Sequence, residues 1–139
     1  MNDRFKFRAW NKEERIMYYN AELAYDSMNG TPPLMHDSFG TLLDDDNYIV
    51  EQCTGLTDRH NKLIYENDVV NVYIPYEDNH RKCVVQYVID EGTAQWLAVY
   101  LEGKRPHCSM GICYDITSEY LDGSYCTVIG NIHEMEMEQ

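Results

Sequence analysis

The stretch Tyr48–Ile74, YIVEQCTGLTDRHNKLIYENDVVNVYI, decides the reading of this chain. Its opening alternates: Tyr48, Val50 and Gln52 fall on one side, Ile49, Glu51 and Cys53 on the other, with the period of a β-strand. Gly55 frees the backbone to bend. Asp58 and Asn61 carry short side chains that hydrogen-bond nearby main-chain amides, so the segment around them reads as a turn. Leu56, Leu63 and Ile64 are expected to tuck beneath it. From Val69 to Ile74 the pattern is a strand again. Two β-rich segments flanking a compact polar turn predict a sheet protein.

Downstream the pattern is an antiparallel meander. Pro75–His80 is a turn, Arg81–Ile89 a second strand, Asp90–Thr93 another turn, and Gln95–Leu101 a third strand around Trp96 and Val99. A turn ahead of D-V-V-x-V, then two longer strands, is the layout of an SH3-like small barrel. Gly103–Gly111 is a loop by its Gly, Pro and Ser. Ile112–Tyr114 pairs briefly, and Ile116–Leu121 is a helical turn or a strand. After the turn at Asp122-Gly123-Ser124, Tyr125–His133 is the closing strand, and Met135–Gln139 a frayed acidic tail.

Upstream, Arg4–Trp10 alternates strictly. Phe5, Phe7 and Ala9 share one face; Arg4, Lys6, Arg8 and Trp10 share the other. With a polar break at Asn11–Glu14 and a second apolar run at Arg15–Tyr19, this is a hairpin. Ala21–Ala24 suggests one helical turn, and Asn29-Gly30-Thr31-Pro32-Pro33 ends any regular element. Phe39–Leu43 reads as a short strand before Asp44-Asp45-Asp46-Asn47. Those aspartates lack the D-x-D-x-D-G spacing and distal Glu of an oxygen cage, so they read as a solvated turn. The expected fold is mainly β (β-dominated α+β). An N-terminal hairpin lobe with a variable loop, residues 1–45, packs on a C-terminal SH3-like β-barrel, residues 46–139.

Composition agrees. A chain of 139 residues buries roughly two-thirds of its unfolded surface, so it folds without metal or disulfide. Its 12 Tyr, against 3 Phe and 2 Trp, suit pleated, half-buried surfaces. Net charge is −13, which opposes direct binding to a phosphate backbone. Residues 1–15 carry five basic and three acidic side chains, net +2, leaving −15 elsewhere. The five cysteines are odd in number and scattered. No stretch approaches a membrane span, and no signal peptide is expected ahead of MNDRFKFRAW. A cytoplasmic location with reduced thiols is expected.

The wording of the stretch resembles the YopX family of phage- and prophage-encoded proteins. The resemblance lies in Gln52, Thr54-Gly55-Leu56, Asp58, Asn61-Lys62, Ile64-Tyr65-Glu66 and Asp68-Val69-Val70. The Lys6–Trp10 opening and the Val128–Ile132 ending, V-I-G-N-I, extend it to both ends of the chain. Where the family has Gly after its I-Y-E, this chain has Asn67. Asn also tolerates a left-handed backbone, which favours a conformational role at that position. The family has no established activity, so the resemblance implies an accessory protein and no reaction.

Few constellations carry chemistry. Cys53, Asp58 and His60 make a Cys-His-Asp set on paper, and Glu66 with Asp68 a carboxylate pair. The expected role of Asp68 is to accept main-chain N–H bonds, and of Glu66 to pair with Lys62 or Arg59. Cys108-x4-Cys113, with His107 adjacent and Cys126 and His133 downstream, is too loose for a zinc site. No metal and no cofactor is expected, and no catalytic residue. Gln52, Thr54, Gly55, Asp58, Tyr65, Glu66 and Asp68 are the candidate binding or signature residues. Arg4, Lys6, Arg8 and Trp10 are the candidate interface, whose charge contrast with the rest leads us to expect self-association. The leading reading is a non-enzymatic binding module with an unidentified protein partner. Its alternatives are an acidic nucleic-acid mimic that occupies a host DNA-binding protein, and a small Cys/His or carboxylate-dependent enzyme.

Overall fold

The structure, a computed structural model, describes residues 3–23, 25–26, 34–36, 38–74, 79–90, 92–100 and 126–137. Strands dominate it, in two antiparallel four-stranded sheets and one small two-stranded pair. The chain forms two compact units, Met1–Gly55 and Leu56–Gln139. The division falls inside a strand, ten residues beyond residue 45.

In the first unit, β1 (Phe7–Asn11) pairs antiparallel with both β2 (Ile16–Tyr19) and β5 (Tyr48–Thr57). The hairpin turn closes with Arg15 in the left-handed region, at φ 59°. Across the three strands Tyr18, Ala9 and Val50 stand side by side. This face packs against Ala21, from a 3₁₀ turn at Ala21–Leu23, and against Leu42 and Phe39. The latter two lie on α1, Phe39–Leu43. Between these elements β3 (Tyr25–Asp26) pairs with β4 (Leu34–Met35).

Two expectations change here. Phe39–Leu43 is helical, because Ser38 caps it: the Ser38 hydroxyl accepts the Thr41 N–H while the Thr41 hydroxyl accepts the Ser38 N–H. That reciprocal cap satisfies two amides the helix leaves open. Arg4 and Phe5 belong to a 3₁₀ turn, Asp3–Phe5, so the strand alternation begins only at Phe7.

In the second unit, β6 (Leu63–Tyr65) leads into β7 (Asp68–Ile74). Then follow β8 (Asn79–Asp90), β9 (Thr93–Tyr100) and β10 (Cys126–Asn131), and the sheet order is β10-β7-β8-β9. The sheet curls into a half-barrel. Its concave side buries Val70, Val72, Cys83, Val85, Ala98 and Cys126 with Ile64 from β6, and Leu56, Trp96 and Val128 pack around them. Each fully buried valine or isoleucine contributes roughly 1.5–3 kcal/mol. A β-bulge at Val128–Gly130 bends β10, with Gly130 at φ 153°.

The closing segment also departs from expectation. The strand ends at Asn131, and Ile132–Met137 is a helix, α2. The Asn131 side chain accepts the His133 and Glu134 amides, which makes it the N-cap. The expected turn at Pro75–His80 and the elements expected at residues 103–124 fall wholly or largely outside the described residues.

Candidate functional site

The turn between β5 and β6 is built around one carboxylate. Asp58 Oδ1 accepts the His60 and Lys62 amides at 2.8 and 3.0 Å, and Oδ2 accepts the Val128 amide of β10 at 3.0 Å. The main chain closes the same loop: Asp58 N–H donates to the Lys62 carbonyl and Asn61 N–H to the Asp58 carbonyl, with Asn61 at φ 66°. Arg59 N–H reaches the Cys126 carbonyl, also on β10, at 3.0 Å. Burial raises the Asp58 carboxyl pKa, but the Val128, Lys62 and His60 amides and the nearby imidazole pull it below its ordinary value. Asp58 is buried while Arg59, His60, Asn61 and Lys62 are exposed. The turn therefore presents a basic tip on an acidic chain.

The second signature turn has the same character. Asp68, itself buried, accepts the Tyr65 amide at 2.8 Å. Asn67 adopts φ 67°, the left-handed geometry expected for it. Its amide donates to the Val85 carbonyl, its carbonyl accepts from Ile132, and its side chain accepts from Gln86 at 2.7 Å. Asn67 thus joins the β6–β7 turn to β8 and to α2. Tyr65 is buried and Glu66 half-buried.

On β5, Gln52 donates to the Arg4 carbonyl at 2.8 Å, and Cys53 N–H donates to the Lys6 carbonyl. Thr54 is buried. Gly55 lies at φ 85°, and a Cβ there would stand 2.5 Å from Arg4 Cγ, so glycine is required on both counts.

The candidate interface divides. Phe7 and Ala9 do lie opposite Arg8 and Trp10, but the second face is covered as well: Arg8 is 2 % exposed and Trp10 6 %. Arg8 Nε donates to Glu51 Oε1 at 2.8 Å, and the two residues are direct cross-strand partners. Neither Arg8 nor Trp10 is available to a partner. Lys6 pairs with Asp3 at 3.2 Å on the surface, and Arg4 lies over the exposed Phe5 ring at 5.8 Å.

A polar network that the sequence did not signal closes the far end of this unit. Asn11 Nδ2 donates to Glu14 and to the Tyr48 hydroxyl, and the Tyr18 hydroxyl donates to Glu14 at 2.9 Å. Burial first, then the Glu14 hydrogen bond and charge, push the Tyr18 hydroxyl up to about 12. His36 Nε2 meets Asp45 Oδ2 at 3.1 Å. The Asn47 amide, then His36, hold the Asp45 carboxyl below its ordinary value.

The paper constellations have separate fates. Cys53 is fully buried and its sulfur accepts the Gly55 amide; His60 is exposed; both Asp58 oxygens are taken by main-chain donors. Among the described residues no three His, Cys, Asp or Glu side chains gather as metal ligands. Cys108, Cys113 and His107 lie outside them. Cys126 is buried and its thiol pushed up to about 12, by burial and then by the Asp58 and Asp68 charges.

The sequence reading also missed an apolar surface on β8 and β9. Tyr87 and Ile89 continue the buried row Cys83–Val85, yet they are 47 % and 72 % exposed. Tyr87 stands opposite Trp96 with ring centroids 4.9 Å apart, and Ile89 opposite Ala94. Reading Arg81–Ile89 as a strand does not show where along it the core ends. No helix among the described residues is long and apolar enough to cross a membrane.

Comparison with known proteins adds a family. The model for the YopX protein matches residues 6–136. Among solved structures, the chain is similar to protein EF1440 from Enterococcus faecalis, at 26 % identity and a TM-score of 0.46, covering 94 % of each chain. It is similar as well to protein yopX from Bacillus subtilis, at 15 % identity and a TM-score of 0.45, covering 96 % of this chain and 95 % of that one. No curated protein matches. With that model spanning both units, the chain belongs to the YopX family, a group of uncharacterised proteins.

Proposed function

We propose that the chain is a non-enzymatic binding module, an accessory protein of phage or prophage type that engages a protein partner. The observation that carries this reading is the apolar surface at the β8–β9 hairpin. Tyr87 and Ile89 lie largely exposed beside Trp96, and aromatic residues on a rigid sheet are the types enriched at interface centres. The signature polar groups support the same reading from the other side. Asp58, Asp68, Asn67 and Gln52 all spend hydrogen bonds on the scaffold. A nucleophile buried like Cys53 is sheltered from substrate.

Capture from a bacterial lysate tests it, with the wild-type chain against Tyr87→Ser/Ile89→Ser. A protein retained by the first and lost by the second, at equal thermal stability, is the expected result. Equal capture by both would remove this surface. A turnover abolished by Cys53→Ala or Glu66→Gln would instead establish the enzyme reading. Self-association through the N-terminal hairpin rests on Arg4, Lys6 and the exposed Phe5 and Tyr19, since Arg8 and Trp10 are buried. Light scattering measures it directly.

A further inference from the structure

Among the described residues, the sheet order places β10 at one end of the second sheet, with β7 on its inner side. A strand in that position offers unpaired N–H and C=O groups to whatever approaches. Here two of them, on residues spaced two apart, are already taken. The Cys126 carbonyl accepts the Arg59 amide at 3.0 Å, and the Val128 amide donates to Asp58 Oδ2 at 3.0 Å. One backbone donor and one side-chain acceptor thus stand where a neighbouring strand would put its N–H and C=O. The turn is stiffened for this position by its own bonds, from His60 and Lys62 to Asp58 Oδ1.

We propose that the 58–62 turn is an edge guard held in cis, and that its release opens β10 to antiparallel pairing with β10 of a second copy of the chain. The composition of β10 selects that occupant. Cys126-Thr127-Val128-Ile129-Gly130-Asn131 has no charge and no proline, and its middle is β-branched, the signature of a self-pairing segment. Two copies meeting across a two-fold axis through this strand bring no like charges face to face. That matters in a chain of net charge −13. Ile129, pushed outward at the bulge and 46 % exposed, adds apolar contact beside the paired edge. The inference does not depend on the partner surface at Tyr87 and Ile89.

Asp58→Ala tests it, because that change removes the Val128 acceptor and loosens the turn together. Mass by size-exclusion chromatography with light scattering is followed from about 5 to 200 micromolar, beside the wild type. Amide exchange at Val128 is read by NMR on the same samples. The expected result is a folded variant whose mass doubles relative to wild type as concentration rises. Its Val128 amide exchanges fast when dilute and at least tenfold slower in the dimer. A folded variant that keeps the wild-type mass at every concentration overturns the proposal. So does a dimer in which Val128 stays fast, since another surface would then be responsible. A variant that loses its cooperative melt also overturns it, because the turn would be part of the fold and not a displaceable guard.

Discussion

Breaking the Arg8–Glu51 pair should be the most damaging single change available in the first unit. The two side chains are 2 % and 0 % exposed and meet at 2.8 Å as direct partners on β1 and β5. Glu51→Leu would take from the buried guanidinium its carboxylate, and Arg8→Met would take from the buried carboxylate its guanidinium. Removing one member of such a pair costs about 3–5 kcal/mol. Whole domains hold only about 5–15 kcal/mol, so about a fifth of the stability or more is at stake. In urea, at a slope of about 2 kcal/mol per molar, each single variant should lose roughly 1.5–2.5 M in midpoint. The double variant Arg8→Met/Glu51→Leu should recover most of the loss, because an apolar pair of similar volume needs no desolvation. Far-UV circular dichroism with Trp fluorescence follows both units. Single variants costing under about 1 kcal/mol, or a double variant as unstable as the two singles added, would refute the argument.

Two further outcomes follow from the turns. Asn67→Ala should cost about 1–3 kcal/mol in urea melts, from its φ of 67° and the lost Gln86 bond; Asn67→Gly should restore the backbone part, and equal losses for both would deny the conformational role. Stability should also respond to pH at both extremes. Asp58 is depressed below 3.8, so its contribution is complete above that value and is lost as pH falls through the lower, folded one. Tyr18 is raised from 10.0 to about 12, so its contribution holds below pH 10 and fades as pH climbs toward 12. Asp58→Asn should flatten the acid limb of a stability–pH curve, and Tyr18→Phe the alkaline limb; unchanged limbs would show that other groups set them.

Local rules read parts of this fold directly. The strands β1, β2, β5, β7, β8 and β9 follow from period-2 alternation, and Asp58, Asp68 and Asn67 follow from what their side chains do to nearby backbone. The failures have a common cause. Phe39–Leu43 is five apolar-rich residues, too short for any period to decide between strand and helix; the Ser38–Thr41 cap decides it. Asn131 sits in a β-branched run that reads as strand, and past the bulge it still pairs with Asp68, yet its side chain accepts the His133 and Glu134 amides and starts α2. Alternation placed Arg8 and Trp10 on one face correctly but could not show that both faces of β1 are covered. Arg8 finds Glu51 across 43 residues, a pairing that no local pattern announces.

The same contrast bears on where function should be sought. Residues that make the family's wording recognisable are, in this chain, the ones whose polar atoms the backbone consumes. Asp58 gives both oxygens to main-chain amides, Asp68 serves the Tyr65 amide, and Asn67 and Gly55 hold left-handed positions. A carboxylate engaged by three amides is poorly placed to move a proton, since each donor stabilises the charged form it would have to give up. Such residues preserve a scaffold and leave its exposed surface free to differ. Tyr87, Ile89 and Trp96 lie outside the signature and hold up no turn, and β8 and β9 fix their spacing across a rigid antiparallel ladder. That ladder presents two rings 4.9 Å apart and one aliphatic side chain, all set by backbone register. Changing Tyr87 and Ile89 should alter what the chain binds without altering how it folds, whereas changing Asp68, Asn67 or Gly55 should do the reverse.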